Sequence, residues 1–516
     1  MPLNSTQEHC DVLIIGAGIS GIGAACHLQR ECPGKRYLIL EGRDGIGGTW
    51  DLLRYPGVRS DSDLYTFGYD FKPWHGQPIA TAPEILSYLQ EVVDENHLAP
   101  NLRFDHWVGS ARWSSSEALW TVTATTAQGE KRSFTANFLF MCQGYYDYER
   151  GYRPSFPGEE VFQGPIIHPQ DWPQDLDYCG KQMVVIGSGA TAATILPAVA
   201  PEVERVTQLQ RSPSYYFALD NSSEDSLIEE LRALEVPDEW IHGVKRRKML
   251  AFGLETTQRA RMEPEALRQE LIEAARAALP EDFDVDTHLT PSYSPWKERL
   301  CLLPDGDMFA AISSGKAAIV TGEIETFVEQ GIVLKSGEVL AADIVVAATG
   351  IELCALGKVQ FVVDGRDIDL SQTWTYQGVM ISELPNLAWS FGYIRTSWTM
   401  RSDMIAHYVC RLLRYMEDAG VRQCTPTLRA KDAGMNGKGF IDEDDFSPGY
   451  MRRGVSRLPK QSDRGPWTNI QDYYVEKDIL PDLGFDDDVL VFSAPEPTPE
   501  QVKQDLDYAG QRSGQI

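Results

Sequence analysis

The stretch "DVLIIGAGISGIGAACHL" (residues 11–28) decides the fold. Asp11 to Ile15 form an apolar run of strand type, "GAGISG" (16–21) follows at once, and the residues beyond can form a helix. This is the opening of a dinucleotide-binding βαβ unit. Gly16 permits the tight turn, Gly18 lets a pyrophosphate approach the backbone, and Gly21 lets helix and strand pack closely. The phosphates would rest on amides at the helix N-terminus. A second strand, "YLILE" (37–41), ends in Glu41, 25 residues after Gly16, where a carboxylate can take both hydroxyls of an adenosine ribose. The alternative is a buried glycine-rich turn. A secretory or membrane reading of the same apolar stretch is disfavoured by its four glycines and by the lack of Lys or Arg in residues 1–10.

The pattern recurs in "KQMVVIGSGATAATILPAVA" (181–200). A strand over 183–186 runs into a turn made of Gly187, Ser188, Gly189, Ala190, Thr191 and Ala192, and a helix follows. The next strand, "RVTQLQ" (205–210), ends in Arg211 and Ser212. Arg211 lies 24 residues after Gly187, in the slot that Glu41 holds in the first unit. A carboxylate there repels a 2′-phosphate, whereas a guanidinium grips it in a fork. The first site is therefore expected to hold FAD and the second NADPH, an arrangement for moving electrons from one to the other. The alternative for Arg211 is an exposed surface cation.

Bulk properties narrow the class. A chain of 516 residues is too long for one core, so two or three domains are expected. The 47 Lys and Arg against 75 Asp and Glu give a net charge of −28, which argues against a nucleic-acid partner. The one basic cluster, "KRRK" (245–248), reads as a solvated helix face. Nine cysteines stand singly with no CxxC, which fits free thiols in the reducing cytoplasm. No HExxH or Cys/His cluster is present, so no metal site is expected.

The fold class is thus α/β, with two nested Rossmann-type dinucleotide-binding domains and a helical insertion. The expected FAD-binding domain spans 1–147 and resumes over 347–516 with a C-terminal segment. The NADP-binding domain spans 148–215 and 296–346, around a helical insertion over 216–295. Residues 82–98 have the apolar spacing of an amphipathic helix, and 119–144 read as a hairpin ending in a buried strand. Residues 332–350 read as a hairpin turning at Ser336–Gly337 and a buried strand that returns the chain to the first domain. In the insertion, Leu227, Ile228, Leu231 and Leu234 share one helix face, as do Leu267, Leu271, Ile272, Ala275 and Leu279.

Disulfide reductases also pair two such domains, but most need a redox cysteine pair, and this chain has none near either motif. Oxygen chemistry is the better reading. "FQGPIIHPQDWP" (162–173) carries the pattern FxGxxxHxxxWP in Phe162, Gly164, His168, Trp172 and Pro173. Pro165, Pro169 and Pro173 bar a continuous helix here. In this segment the chain resembles the Baeyer–Villiger monooxygenases, whereas related S- and N-oxygenating flavin monooxygenases usually carry Phe or Tyr at the Trp172 position. "GGTWDLLRYPGVRSDSDLYTFGYDFKPW" (47–74), "LQRSPSY" and "SPWKERLCLLP" are similar to the ethionamide-activating branch of that family.

The resemblance implies FAD, NADPH and O₂ acting on a small ketone or sulfide, with oxygen inserted through a C4a-peroxyflavin to give an ester or lactone. It implies that Arg299 stands beside the peroxide and that Asp61 orients it. A surface ion pair and a capping aspartate are the alternatives for these two. It further implies flavin contacts at Ser20, Thr49, Trp50, Asp51 and the backbone near Val108, with Arg59, Ser60 and Asp61 where nicotinamide meets flavin. Trp50 could equally be core. His168 and Trp172 would govern domain movement and NADPH placement, or else form a rigid interdomain packing loop. Where many members have a second cation before the arginine, this chain has Glu298, which shifts the 2′-phosphate preference onto Arg211 and Ser212.

Overall fold

The computed structural model describes residues 8–222, 226–298 and 300–494. The first motif forms β1 (Glu8–Ile15), α1 (Ile19–Glu31) and β2 (Tyr37–Leu40), as its glycine spacing predicts. Two short helices, α2 (Thr49–Leu52) and α3 (Leu64–Phe67), carry the following loop. The amphipathic segment is α4 (Ala82–Glu95), whose buried face includes Ile85, Leu89, Val92 and Val93. Its start is fixed by a capping box, in which the Thr81 N–H donates to Glu84 Oε2 at 2.8 Å. Then come β3 (Leu102–Arg103) and the antiparallel strands β4 (His106–Ser114), β5 (Leu119–Thr126) and β6 (Lys131–Met141).

The first sheet runs in the order β4-β5-β6-β1-β2-β3, with β1 parallel to both β2 and β6. Late residues complete it: Gln360–Val363 pairs with β4, and Leu387–Trp389 pairs with β6.

The second sheet is built from β7 (Ile166–Ile167), β8 (Gln182–Ile186), β9 (Arg205–Gln210), β12 (Ala317–Thr321) and β16 (Ile344–Ala347). It is wholly parallel, in the order β12-β9-β8-β16-β7. Helix α5 (Ala190–Val199) follows β8. Strands β10 (Tyr216–Leu219) and β11 (Cys301–Pro304) pair with each other on either side of the helices α6 (Ser226–Ala233), α7 (Asp238–Met262), α8 (Pro264–Ala278) and α9 (Val285–His288). Helix α10 (Asp307–Ser313) leads back to β12. The expected hairpin is β14 (Gly331–Leu334) with β15 (Val339–Ala341), and β13 (Ile324–Val328) pairs against its outer side.

Three expectations need correction. In α6 only Ile228 is buried, while Leu227 and Leu234 are exposed, because one short helix has little to pack against. Residues 216–219, placed at the start of a helical insertion, form a strand. The basic cluster is not wholly solvated. Arg246 is largely buried and donates to the carbonyls of Tyr65 (2.7 Å) and Gly68 (3.2 Å), docking α7 onto α3. By contrast, Leu267, Leu271, Ile272, Ala275 and Leu279 are all buried as their spacing predicts.

The chain crosses from the first sheet to the second after β6 and returns after β16. The two crossings run antiparallel and bond to each other. Cys354 N–H donates to Tyr145 O (2.8 Å), Asp147 N–H to Glu352 O (2.9 Å) and Tyr152 N–H to Gly350 O (3.0 Å). No helix among the described residues is long and apolar enough to cross a membrane. The cysteines are free, and among them Cys179 is exposed and the other eight are buried.

A long helix, α11 (Trp398–Asp418), packs on α1 and carries Arg401, which is fully buried. Its guanidinium meets Glu476 at 2.8 and 3.1 Å and donates to the carbonyls of Gln377, Gly378 and Phe391. Removing one partner of such a pair leaves a buried charge uncompensated. Glu476→Gln is expected to cost about 3–5 kcal/mol, read as a lower urea midpoint by tryptophan fluorescence. Glu323→Gln, which breaks an exposed pair, is expected to leave that midpoint unchanged.

Candidate functional site

Both glycine turns stand where a central strand has neighbours on its two sides reached by opposite chain directions. Ligands of open α/β sheets bind at that place. Here both turns open into a single cavity of about 920 Å³.

In the first half-site Gly16 has φ +104°, and a Cβ there would lie 2.8 Å from Cys142 O. A Cβ on Gly21 would lie 1.9 Å from Gly16 O, so only glycine lets α1 close on β1. Gly18 and Gly48 approach closely: a Cβ on Gly18 would lie 3.6 Å from Gly48 Cα, and one on Gly48 would lie 3.2 Å from both Gly18 Cα and Tyr148 OH. Glu41 is buried at the end of β2. Its Oε2 accepts from the Ala17 N–H (2.7 Å) and its Oε1 from the Arg43 N–H (2.9 Å). Burial raises its pKa, and those amide bonds oppose the rise. Gln143 projects from the far wall with both amide atoms buried and no partner. A glycine turn at a helix N-terminus, an oriented carboxylate and an orphaned amide are a donor and acceptor set that fits an adenine dinucleotide.

The second half-site repeats the geometry with the opposite charge. Gly187 has φ +138°, and a Cβ there would lie 2.3 Å from Ala348 O. Gly189 starts α5 with open space where a Cβ would point, and Ala192 is buried against the sheet. Ser188 Oγ donates to Ser212 O (3.1 Å), which ties the turn to the end of β9. Arg211 and Ser212 are exposed on the cavity rim. Lys335, from the β14–β15 hairpin, lines the same rim and pairs with Glu323 at 2.7 Å. These residues fit a nucleotide bearing an extra phosphate.

Between the half-sites lie Thr49, Trp50, Arg59, Ser60 and Asp61, all on the cavity wall with Val108. Thr49 Oγ1 is 3.3 Å from Tyr148 OH, and Trp50 packs edge-on against Phe67. Arg59 is paired with Asp307 at the start of α10. Ser20 reaches the cavity, but its Oγ accepts from Trp398 Nε1 at 2.7 Å. Asp51 is not on the wall; its carboxylate is held by Arg43 and Arg54. Glu298 is half-buried, its pKa raised by burial, and it faces Arg452 at 3.5 Å. Arg299 lies outside the described residues.

The proline-rich segment is not one helix. It forms β7 and a single 3₁₀ turn over Pro169–Asp171. Phe162 packs edge-on against Phe327, and Trp172 is buried in the second sheet's core near Tyr178. Neither lines the cavity, nor do Gly164 and Pro173. A Cβ on Gly164 would lie 2.0 Å from Asp343 O, which explains the glycine. His168 does line the cavity. Its Nε2 lies 3.0 Å from Gly350 O, and its Nδ1 accepts from the Gln170 N–H at 3.2 Å. These partners require the neutral ring with hydrogen on Nε2. The imidazole thus clamps the return crossing, and Gly151 of the outward crossing lies so close that a Cβ would sit 1.9 Å from the ring.

Several wall residues carry no signal in the linear sequence: Gln143, Lys335, Arg453 and the stacked pair Tyr145 and Trp398. Arg453 lies 3.4 Å over the Tyr152 ring. Each reaches the cavity from a different segment, so only the fold assembles them.

Comparison with known proteins follows the same lines. Residues 14–77 match the NAD(P)-binding Rossmann-like domain and residues 70–224 the flavin-binding monooxygenase-like family. The FAD-containing monooxygenase EthA of Mycolicibacterium smegmatis is 46% identical over 488 residues, 94% of this chain and 97% of that protein. The chain belongs to the FAD-containing monooxygenases. Among solved structures, an oxidized steroid monooxygenase bound to NADP superposes with a TM-score of 0.75 at 24% identity, over 94% of this chain and 99% of that one. An open cyclohexanone monooxygenase superposes with a TM-score of 0.67 at 25% identity, over 82% and 90%.

His168 is held neutral: burial lowers its pKa from 6.5 despite the bond to Gly350. The unfolded chain therefore binds this proton first as pH falls. The stability it contributes is full above about pH 6.5 and declines as pH drops below that value. His168→Gln is expected to shrink the fall in thermal midpoint between pH 7 and pH 5, measured by flavin fluorescence and circular dichroism.

Proposed function

We propose that this protein is a Baeyer–Villiger monooxygenase using FAD in the first half-site and NADPH in the second. It would insert one oxygen atom from O₂ beside a ketone carbonyl and also oxygenate sulfides. The observation that carries this reading is the shared cavity, lined by Glu41, by Arg211 and by His168 of the FxGxxxHxxxWP segment. The similarity to EthA supports it. The expected domain division, with the helical insertion beginning after β10, is part of the same proposal.

Each residue has a physical task. Backbone amides at Gly16–Gly18 and at Gly187–Gly189 meet pyrophosphates, and Glu41 accepts from ribose hydroxyls. Arg211 and Lys335, on the cavity rim, would hold a 2′-phosphate. Glu298 keeps its Arg452 partner and contributes no cation. Asp307 holds Arg59 at the wall where the two half-sites meet. When bound, the flavin supplies oxygen-activating redox chemistry, with the hydride drawn from NADPH. By its match to the family motif, Arg299 would supply a permanent cation to offset negative charge at the reacting oxygen, with Asp61 to orient it. His168, bonded to Gly350 O of the return crossing, would govern domain movement and NADPH placement.

Incubation with NADPH, O₂ and a panel of linear ketones and sulfides tests the reading. Esters support it, sulfoxides alone favour the S-oxygenating relatives, and no oxygenated product overturns both. Arg299→Ala is expected to abolish ester formation while NADPH still bleaches the flavin. Arg211→Ala is expected to raise the KM for NADPH about tenfold to hundredfold, the loss of one or two charge-assisted bonds, with little change for NADH. Equal effects on both nucleotides would contradict the 2′-phosphate contact.

A further inference from the structure

Outside the cavity, helices α1 and α11 bring together four residues that are far apart in sequence. His27 and Glu31 lie one turn apart on α1, and Asp403 and His407 lie one turn apart on α11. His27 Nδ1 is 3.2 Å and His407 Nδ1 is 2.6 Å from the same oxygen, Glu31 Oε1. One donor atom from each of His27, Glu31 and His407 lies within 4.8 Å of the others. On the other side of the His27 ring, Nε2 is 3.3 Å from Asp403 Oδ1.

The imidazole of His27 is thus flanked by a carboxylate on each side, Glu31 at Nδ1 and Asp403 at Nε2. Asp403 Oδ2 is buried with no partner at all, on a residue only 8% exposed. Arg414 stands 3.7 Å from Glu31 Oε2, on the side away from Asp403. Phe71 closes the cluster from a third element, edge-on to His27 with Arg30 over its other face.

We propose that His27, Glu31 and His407 bind one divalent transition-metal ion of the zinc, cobalt or nickel class, with Asp403 orienting His27. Two imidazoles and one carboxylate select such an ion over magnesium or calcium. The Asp403 carboxylate takes the hydrogen on Nε2 and leaves Nδ1 as the ligand, the carboxylate–histidine–metal relay found at many such sites. The ion would lie near the surface, because the His407 side chain is half exposed, and a water would fill the fourth position. It pins α1, the helix that starts at the first glycine turn, to α11, which carries Trp398 of the cavity wall.

The flavin-loaded protein, freed of metal with a chelator and rebuffered, tests this by titration with zinc chloride in a calorimeter and with cobalt(II) chloride by visible absorption. One equivalent is expected, with the visible ligand-field bands of low-coordinate cobalt(II) and a raised thermal midpoint in zinc. His407→Ala and Glu31→Gln are each expected to weaken zinc at least tenfold, and Asp403→Asn about 10- to 100-fold. Retained flavin shows that each variant has folded. Zinc binding unchanged in both His407→Ala and Glu31→Gln, or cobalt without those bands, would overturn the proposal.

Discussion

The structure depends on the pairing of the two chain crossings between its sheets. The first sheet is mixed and the second parallel, but nothing in a βαβ unit fixes where a second sheet sits. The backbone bonds between residues 145–152 and 350–354 fix it. They place the C-terminal ends of β1 and β8 on one cavity and bring the return strand past His168. Lys358 adds to the joint by bonding Asp147 and Glu149 across it. A crossing made once would be a tether. Made twice and hydrogen-bonded, it becomes a ribbon with a defined axis.

That geometry sets the electrostatics. A protein with 28 excess negative charges presents two sites for anionic ligands, so attraction must be local. The first half-site relies on backbone amides and on a carboxylate already oriented by Ala17 and Arg43. The second adds fixed cations, Arg211 and Lys335, on the rim. Glu298, which looks hostile to a phosphate in sequence, is turned to Arg452. Its neighbours decide its effect, and they come from a segment about 150 residues away.

Much of the fold was legible because the relevant constraints are local. Glycines at fixed offsets, a strand ending in Glu41 or Arg211 and a turn at Ser336–Gly337 all act within a few residues. The amphipathic face of α8 was equally plain. Where contacts between distant segments decide, the sequence was silent or misleading. The apolar face of α6 finds little to cover it. Arg246 docks on α3 carbonyls that no periodicity foretells. Gln143, Trp398 and Lys335 reach the cavity from three separate segments. The His27, Glu31 and His407 cluster joins helices some 380 residues apart, so no spacing rule finds it.

The doubled connection also bears on how the molecule comes apart. Cutting the backbone once, in either crossing, would free neither lobe. The other link would persist, and the first sheet would still hold strands from both fragments, since Gln360–Val363 lies on β4 and Leu387–Trp389 on β6. A nicked chain therefore keeps its shape and its bound nucleotides until a second scission, and it behaves as one particle in native sieving while showing two bands after denaturation.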